Sequence, residues 1–210
     1  MRCFYGFFLI AAIALFVASG CISYSTLHTA TPVEEGQTEG AVSGSFYGLS
    51  VDGDALAVPN TEVAVRYGVT EQSDIGFKVF PVGMAFDYNH ALVLEEDFAL
   101  SVNPYLSATH IGSSEGSVTY GVALANVLAD VVRSDSATLT LGLKPGLVYA
   151  LGSANDGDFE SATGAVIGGM AGVRLDMSAT MTVMPSIDII TPVEDLGAGW
   201  LYNVGLAFMF

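Results

Sequence analysis

Downstream of residue 40 the chain alternates apolar and polar positions with a period of two, the signature of strands whose two faces meet different surroundings. Ten segments carry the pattern, at roughly 41–50, 61–69, 74–80, 84–93, 97–109, 117–128, 137–149, 163–176, 180–190 and 199–210. Val63, Val65, Tyr67 and Val69 oppose Glu62, Ala64, Arg66 and Gly68, and Ile75, Phe77 and Val79 oppose Asp74, Gly76 and Lys78. Met84, Phe86, Tyr88 and Leu92 oppose Ala85, Asp87 and Asn89, with His90 interrupting the apolar row. Leu139, Leu141, Leu143 and Leu147 oppose Thr138, Thr140, Gly142 and Lys144. The last segment alternates without a miss, with Trp200, Tyr202, Val204, Leu206, Phe208 and Phe210 sharing one face. Only the first is ambiguous, since Phe46 falls on one face and Tyr47 and Leu49 on the other.

Alternation of this kind has two readings: an apolar face turned inward under a solvated surface, or one turned outward toward lipid. The opposite faces decide between them. They hold Gly, Ala, Ser, Thr and Asn with isolated charges, whereas a solvated surface is rich in Lys, Glu and Arg. Small, weakly polar side chains suit a confined lumen. The expectation is an all-β, antiparallel up-and-down transmembrane β-barrel of about ten strands, with eight to twelve possible because the first strand is weak and the 137–151 run could bend. The competing reading is a periplasmic β-sandwich or lipocalin-like barrel that holds a hydrophobic ligand.

The charges follow the same parity. Arg66, Lys78, Lys144 and Arg174 all fall on the less apolar face, with Glu62, Asp74, Asp87, Asp176 and Asp188 beside them, while Arg133 falls in a connection. These nine residues are expected to form a mixed ion-pair network in the lumen, in which pairing offsets the desolvation of each charge. A barrel of about ten strands has an interior largely filled by side chains, so a narrow or closed lumen is expected. Short connections near 70–73, 94–96 and 177–179 are placed at the periplasmic side. The longer 51–60, 110–116, 150–162 and 191–198, carrying Asp52, Asp54, Glu115, Asp156, Asp158, Glu160, Glu194 and Asp195, are placed outside. Pro81-Val82-Gly83 and 129–136 are the exceptions in length.

The N-terminus changes the compartment. Arg2, the apolar run from Phe4 to Ala18 and the small residues before Cys21 read as a secretory signal, too short before Ser23 for a permanent transmembrane helix. Ala18-Ser19-Gly20-Cys21 resembles the lipobox of bacterial lipoproteins, which implies acylation at Cys21 and export to the outer membrane. The C-terminal strand resembles the terminal signal of bacterial outer-membrane β-barrels, which implies that Tyr202, Phe208 and Phe210 are read by the barrel assembly machinery and that outer-membrane lipid surrounds the wall. Domain boundaries follow: signal peptide 1–20, lipidated N-terminus and polar tether or plug 21–40, and barrel 41–210.

Composition narrows the function. The chain has 22 acidic and 6 basic residues, and loss of Arg2 leaves a formal charge of −17, which excludes a phosphate-binding face and a nucleic-acid partner. With Cys3 in the signal and Cys21 the lipid candidate, no disulfide pair remains. No histidine cluster points to a metal, and no cofactor motif is present: Gly164 to Gly169 lacks the Lys-Ser/Thr of a nucleotide loop. Asn155-Asp156-Gly157-Asp158 lacks the closing acid of a calcium loop. The remote enzymatic reading, a lipid-modifying site, would rest on His110 with Ser107, Ser113 or Ser114 at the outer rim. The expected function is non-enzymatic: envelope structure, adhesion or small-solute passage in a Gram-negative outer membrane.

Overall fold

The computed structural model describes residues 23–51, 54–113, 116–154, 159–194 and 200–210. Its strands are β1 (Thr38–Val51), β2 (Asp54–Thr70), β3 (Ser73–Phe80), β4 (Gly83–Leu94), β5 (Ala99–Ser113), β6 (Gly116–Ser134), β7 (Ala137–Leu143), β8 (Gly146–Ala154), β9 (Phe159–Ser178), β10 (Met181–Pro192) and β11 (Trp200–Met209). Every neighbouring pair is antiparallel, and β11 closes the sheet on β1 from Ala41 opposite Met209 to Ser50 opposite Trp200. The eleven segments make ten staves, because β7 and β8 are two halves of one: both lie between β6 and β9. The break falls at Lys144-Pro145, where Pro145 has no N–H for the ladder. The backbone is held across the gap by Lys144 N–H on Gly168 O at 2.9 Å and Ala125 N–H on Pro145 O at 2.9 Å.

The strands run further than the alternation suggests. The expected long connection 51–60 is largely the upper half of β2, the span 110–116 is mostly strand, and the described residues of 150–162 belong to β8 and β9. Arg133, expected in a connection, belongs to β6, which turns tightly through Asp135-Ser136 into β7. Gly and polar residues mark loops only when nothing pairs with them. Here the neighbouring stave offers a continuous ladder, and the strand extends. Pro104 faces outward and β5 stays in register with β6 throughout, although pairing with β4 lapses beside it.

The apolar parity faces out. Val63, Val65, Phe77, Val79, Phe86, Leu106, Leu141, Leu147, Ile187, Leu206 and Phe208 are all exposed, and Phe46, at 58% exposed, resolves the ambiguity of β1 by pointing outward opposite to the buried Tyr47. Leu139 is half-buried. A soluble barrel with the apolar row inside does not fit this arrangement. No helix among the described residues is long and apolar enough to cross a membrane.

Inside, two apolar layers lie above and below a polar middle. Toward the end of the barrel formed by the β3–β4 hairpin, Tyr24, Tyr47, Phe80, Tyr105, Tyr120 and Ile190 pack together. Toward the end where the chain terminates, Leu27, Ala30, Leu128, Met170, Met184 and Met209 do so. Tyr24, Leu27 and Ala30 belong to no strand. The segment upstream of β1 runs through the lumen, and Ser23 to Ala30 are buried along their whole length.

Candidate functional site in the barrel lumen

The internal segment, residues 23–34, enters at the mouth formed by the short turns. Gly36, at φ +77°, takes the left-handed conformation that glycine adopts without steric penalty. Gly36 N–H donates to Gly68 O at 2.9 Å, and Gly68 N–H donates to Gln37 O at 3.0 Å. A Cβ on Gly68 would stand 2.0 Å from Glu34 O, so the plug crosses the wall at a residue with no side chain.

From there the wall grips the plug's main chain with two kinds of group. In its first-entered part the plug presents N–H groups to aspartates. Val33 N–H donates to Asp74 Oδ2 at 2.8 Å, and Ala30 and Thr31 N–H donate to the two oxygens of Asp130 at 2.9 Å each. Thr31 Oγ1 and Thr140 Oγ1 add bonds to Asp130 at 2.7 Å, so this buried carboxylate is satisfied by four donors with no ion pair among the described residues. In its deepest part the plug presents carbonyls to cations and a phenol. Lys78 Nζ donates to Ser25 O at 2.7 Å, Lys144 Nζ to Tyr24 O at 2.6 Å, and Tyr105 OH to Ser23 O at 2.7 Å.

The wall charges pair behind these contacts. Lys144 meets Asp188, whose other oxygen accepts from Asn203 Nδ2 at 3.2 Å. Lys78 lies 3.4 Å from Glu62 and 5.5 Å from the centre of the Tyr105 ring. Glu62 also accepts from Ser25 Oγ at 2.5 Å and Tyr47 OH at 2.8 Å. Arg66 bridges Asp74 and Asp87, the latter at 2.7 Å, and Asn103 donates to Asp87 at 2.8 Å. Gly76 makes room for this fork: a Cβ there would fall 2.5 Å from Asp87 Oδ2 and 2.7 Å from Arg66 Nη1.

Of the nine residues expected in a luminal network, Glu62, Arg66, Asp74, Lys78, Asp87, Lys144 and Asp188 are placed in the buried interior. Arg174 and Asp176 sit at the entry mouth instead. There Arg174 pairs with Glu39 at 2.9 Å and Asp176 at 3.3 Å, only partly buried, because β9 has reached its end. Asp130 was missed: it falls in the stretch 129–136 read as a connection, and continuing the β6 parity by two residues from Leu128 places it inward. His28 also belongs to the plug, its Nε2 3.8 Å from Asp87 Oδ1.

A void of about 20 Å³ lies beside this network, with Ser25, His28, Arg66, Lys78, Asp87 and Tyr105 among its lining residues. That is room for about one water molecule. Of the residues named for the enzymatic reading, His110 is exposed and bonded to Thr119 Oγ1 at 2.9 Å, while Ser107 is buried on the opposite face of β5 and is not brought to it. No group of three or more His, Cys, Asp or Glu among the described residues could hold a metal. At the terminus, Phe210 exchanges backbone hydrogen bonds with Gly40 at 2.9 and 3.0 Å, Phe208 is exposed, and Tyr202 packs its ring across Gly48 of β1. Cys21, Ser114, Asp52, Glu115, the 155–158 turn and Asp195 lie outside the described residues.

No protein-family model matches the chain, and no curated protein matches it. Among solved structures it is similar to Ail, the attachment invasion locus protein of Yersinia pestis, at 12% identity over 84% of this chain and 99% of that one, with a TM-score of 0.41. It is similar to Neisserial surface protein A at 9% identity over 82% and 95%, with a TM-score of 0.44. It is also similar to the outer membrane protease OmpT from Escherichia coli at 10% identity over 90% and 100%, with a TM-score of 0.48.

Proposed function

We propose that this chain is a barrel of the bacterial outer membrane whose lumen is closed by its own N-terminal segment, and that it serves the envelope as a non-enzymatic structural or adhesive element. The observation that carries the closed lumen is the grip on the plug: main-chain groups of Ser23, Tyr24, Ser25, Ala30, Thr31 and Val33 each bond to a side chain of the wall. Membrane insertion rests on the outward apolar face shared by the staves. None of the Lys or Arg side chains among the described residues enters that face, and so large an apolar surface would drive a soluble monomer to aggregate. Export by residues 1–20, acylation at Cys21 and recognition of the terminal strand by the assembly machinery complete the proposal, supported by the sequence patterns at the two ends.

Two measurements test it. The purified chain should run faster on an unboiled gel than on a boiled one, as a closed barrel does in detergent, and should give no steady conductance in a planar bilayer. A steady single-channel current from the intact chain would refute the closed lumen and favour small-solute passage.

A further inference from the structure

The plug has a direction. Thr38, at the start of β1, and the turns after Thr70, Ser134 and Ser178 lie at one mouth, which an even number of staves shares with the C-terminus. The plug starts there, beside Gly68, and its partners then climb: Asp74 at the near end of β3 for Val33, Asp130 for Thr31 and Ala30, Asp87 for His28, and Lys78 four residues beyond Asp74 for Ser25. Ser23 ends the climb among the tyrosines of the far layer, bonded to Tyr105 and Tyr47. The described chain does not double back. The wall it approaches is lowest at the β3–β4 hairpin: Phe80 pairs with Gly83, whereas β2 continues past that level to Asp54 and β5 to Ser113. The rim of this saddle is Pro81-Val82, with neither residue charged.

We infer that the lumen threads the segment from Val33 to Ser23 across the membrane, with its Ser23 end directed to the loop end of the barrel, at the outer face of the cell. This rests on the outer-membrane reading above. The polypeptide would then be a cell-surface presentation device for its own N-terminus.

The test uses the full-length chain in cells, with an eight-residue epitope inserted between Ile22 and Ser23, and a control carrying it at the exposed Glu34–Glu35 turn. The first is expected to bind antibody equally in intact and permeabilised cells, the second only after permeabilisation. Binding of the first only after permeabilisation, or only after denaturation, overturns the inference. Loss of the gel shift in both would instead count against the barrel reading. If the insertion alone impairs the gel shift, Ile22→Cys labelled by a membrane-impermeant maleimide gives the same decision. Mass analysis of the N-terminal peptide reports acylation separately from topology.

Discussion

Removing the cation at Lys144 should strongly destabilise the protein. Its Nζ is enclosed, donates to Tyr24 O at 2.6 Å and pairs with Asp188, itself fully buried. Lys144→Met keeps much of the volume of the side chain and removes its charge. Asp188 would then retain the 3.2 Å bond from Asn203, and the Tyr24 carbonyl would lose its donor. Breaking a buried pair by removing one member costs about 3–5 kcal/mol, because the surviving charge remains desolvated. Replacing both members by apolar groups removes that penalty, so Lys144→Met with Asp188→Leu should recover most of the loss. The assay is urea unfolding of the barrel refolded in lipid vesicles, read by the gel shift and by Trp200 fluorescence. A single variant within about 1 kcal/mol of the parent would refute the reasoning. So would a double variant no more stable than the single, which would mean that Lys144 acts through packing at the β7–β8 break instead of through charge.

Two further outcomes are expected. Leu206→Lys, in the outward row between Val204 and Phe208, should cost about 2–4 kcal/mol in the same unfolding assay if the site lies near the bilayer midplane, and under 1 kcal/mol if that face meets water. Gly68→Ala places a methyl where Glu34 O now sits, so the plug entry must shift; cleavage by added protease within residues 34–37 should accelerate while the gel shift persists.

Much of the wall was legible because a barrel writes its two faces into a period of two. Phe77, Leu141 and Phe208 could be assigned outward and Arg66, Lys78 and Lys144 to the opposite face without any knowledge of pairing. Strand ends were less legible, since Asp54 to Asn60 reads as loop-forming until β1 is set beside it. The plug was the hardest part. Ser23 to Val33 has no periodicity, and its role lies in main-chain groups that every sequence possesses. Its composition marked it only as a polar tether or plug, while the surplus of acids over bases on the inward parity is what its neutral donors meet.

That surplus links the plug to the barrel's own stability. Among the buried wall residues, Glu62, Asp74, Asp87, Asp130 and Asp188 face Arg66, Lys78 and Lys144, so two negative charges have no cation of their own. Asp130 shows how the deficit is met: two plug N–H groups and the Thr31 hydroxyl supply three of its four hydrogen bonds. An empty lumen would leave the carboxylate with Thr140, while Lys78 and Lys144 would lose the carbonyls of Ser25 and Tyr24. Water could refill such a lumen, but the ion pairs would then lie in a medium of high dielectric and lose most of their attraction. Insertion of the plug therefore dries the network that holds the plug, and each strengthens the other. A barrel assembled around its N-terminus should unfold as one cooperative unit with it. Deleting residues 23–33 should lower stability as well as open the pore, and a deletion that opened the pore while leaving the unfolding midpoint unchanged would break that link.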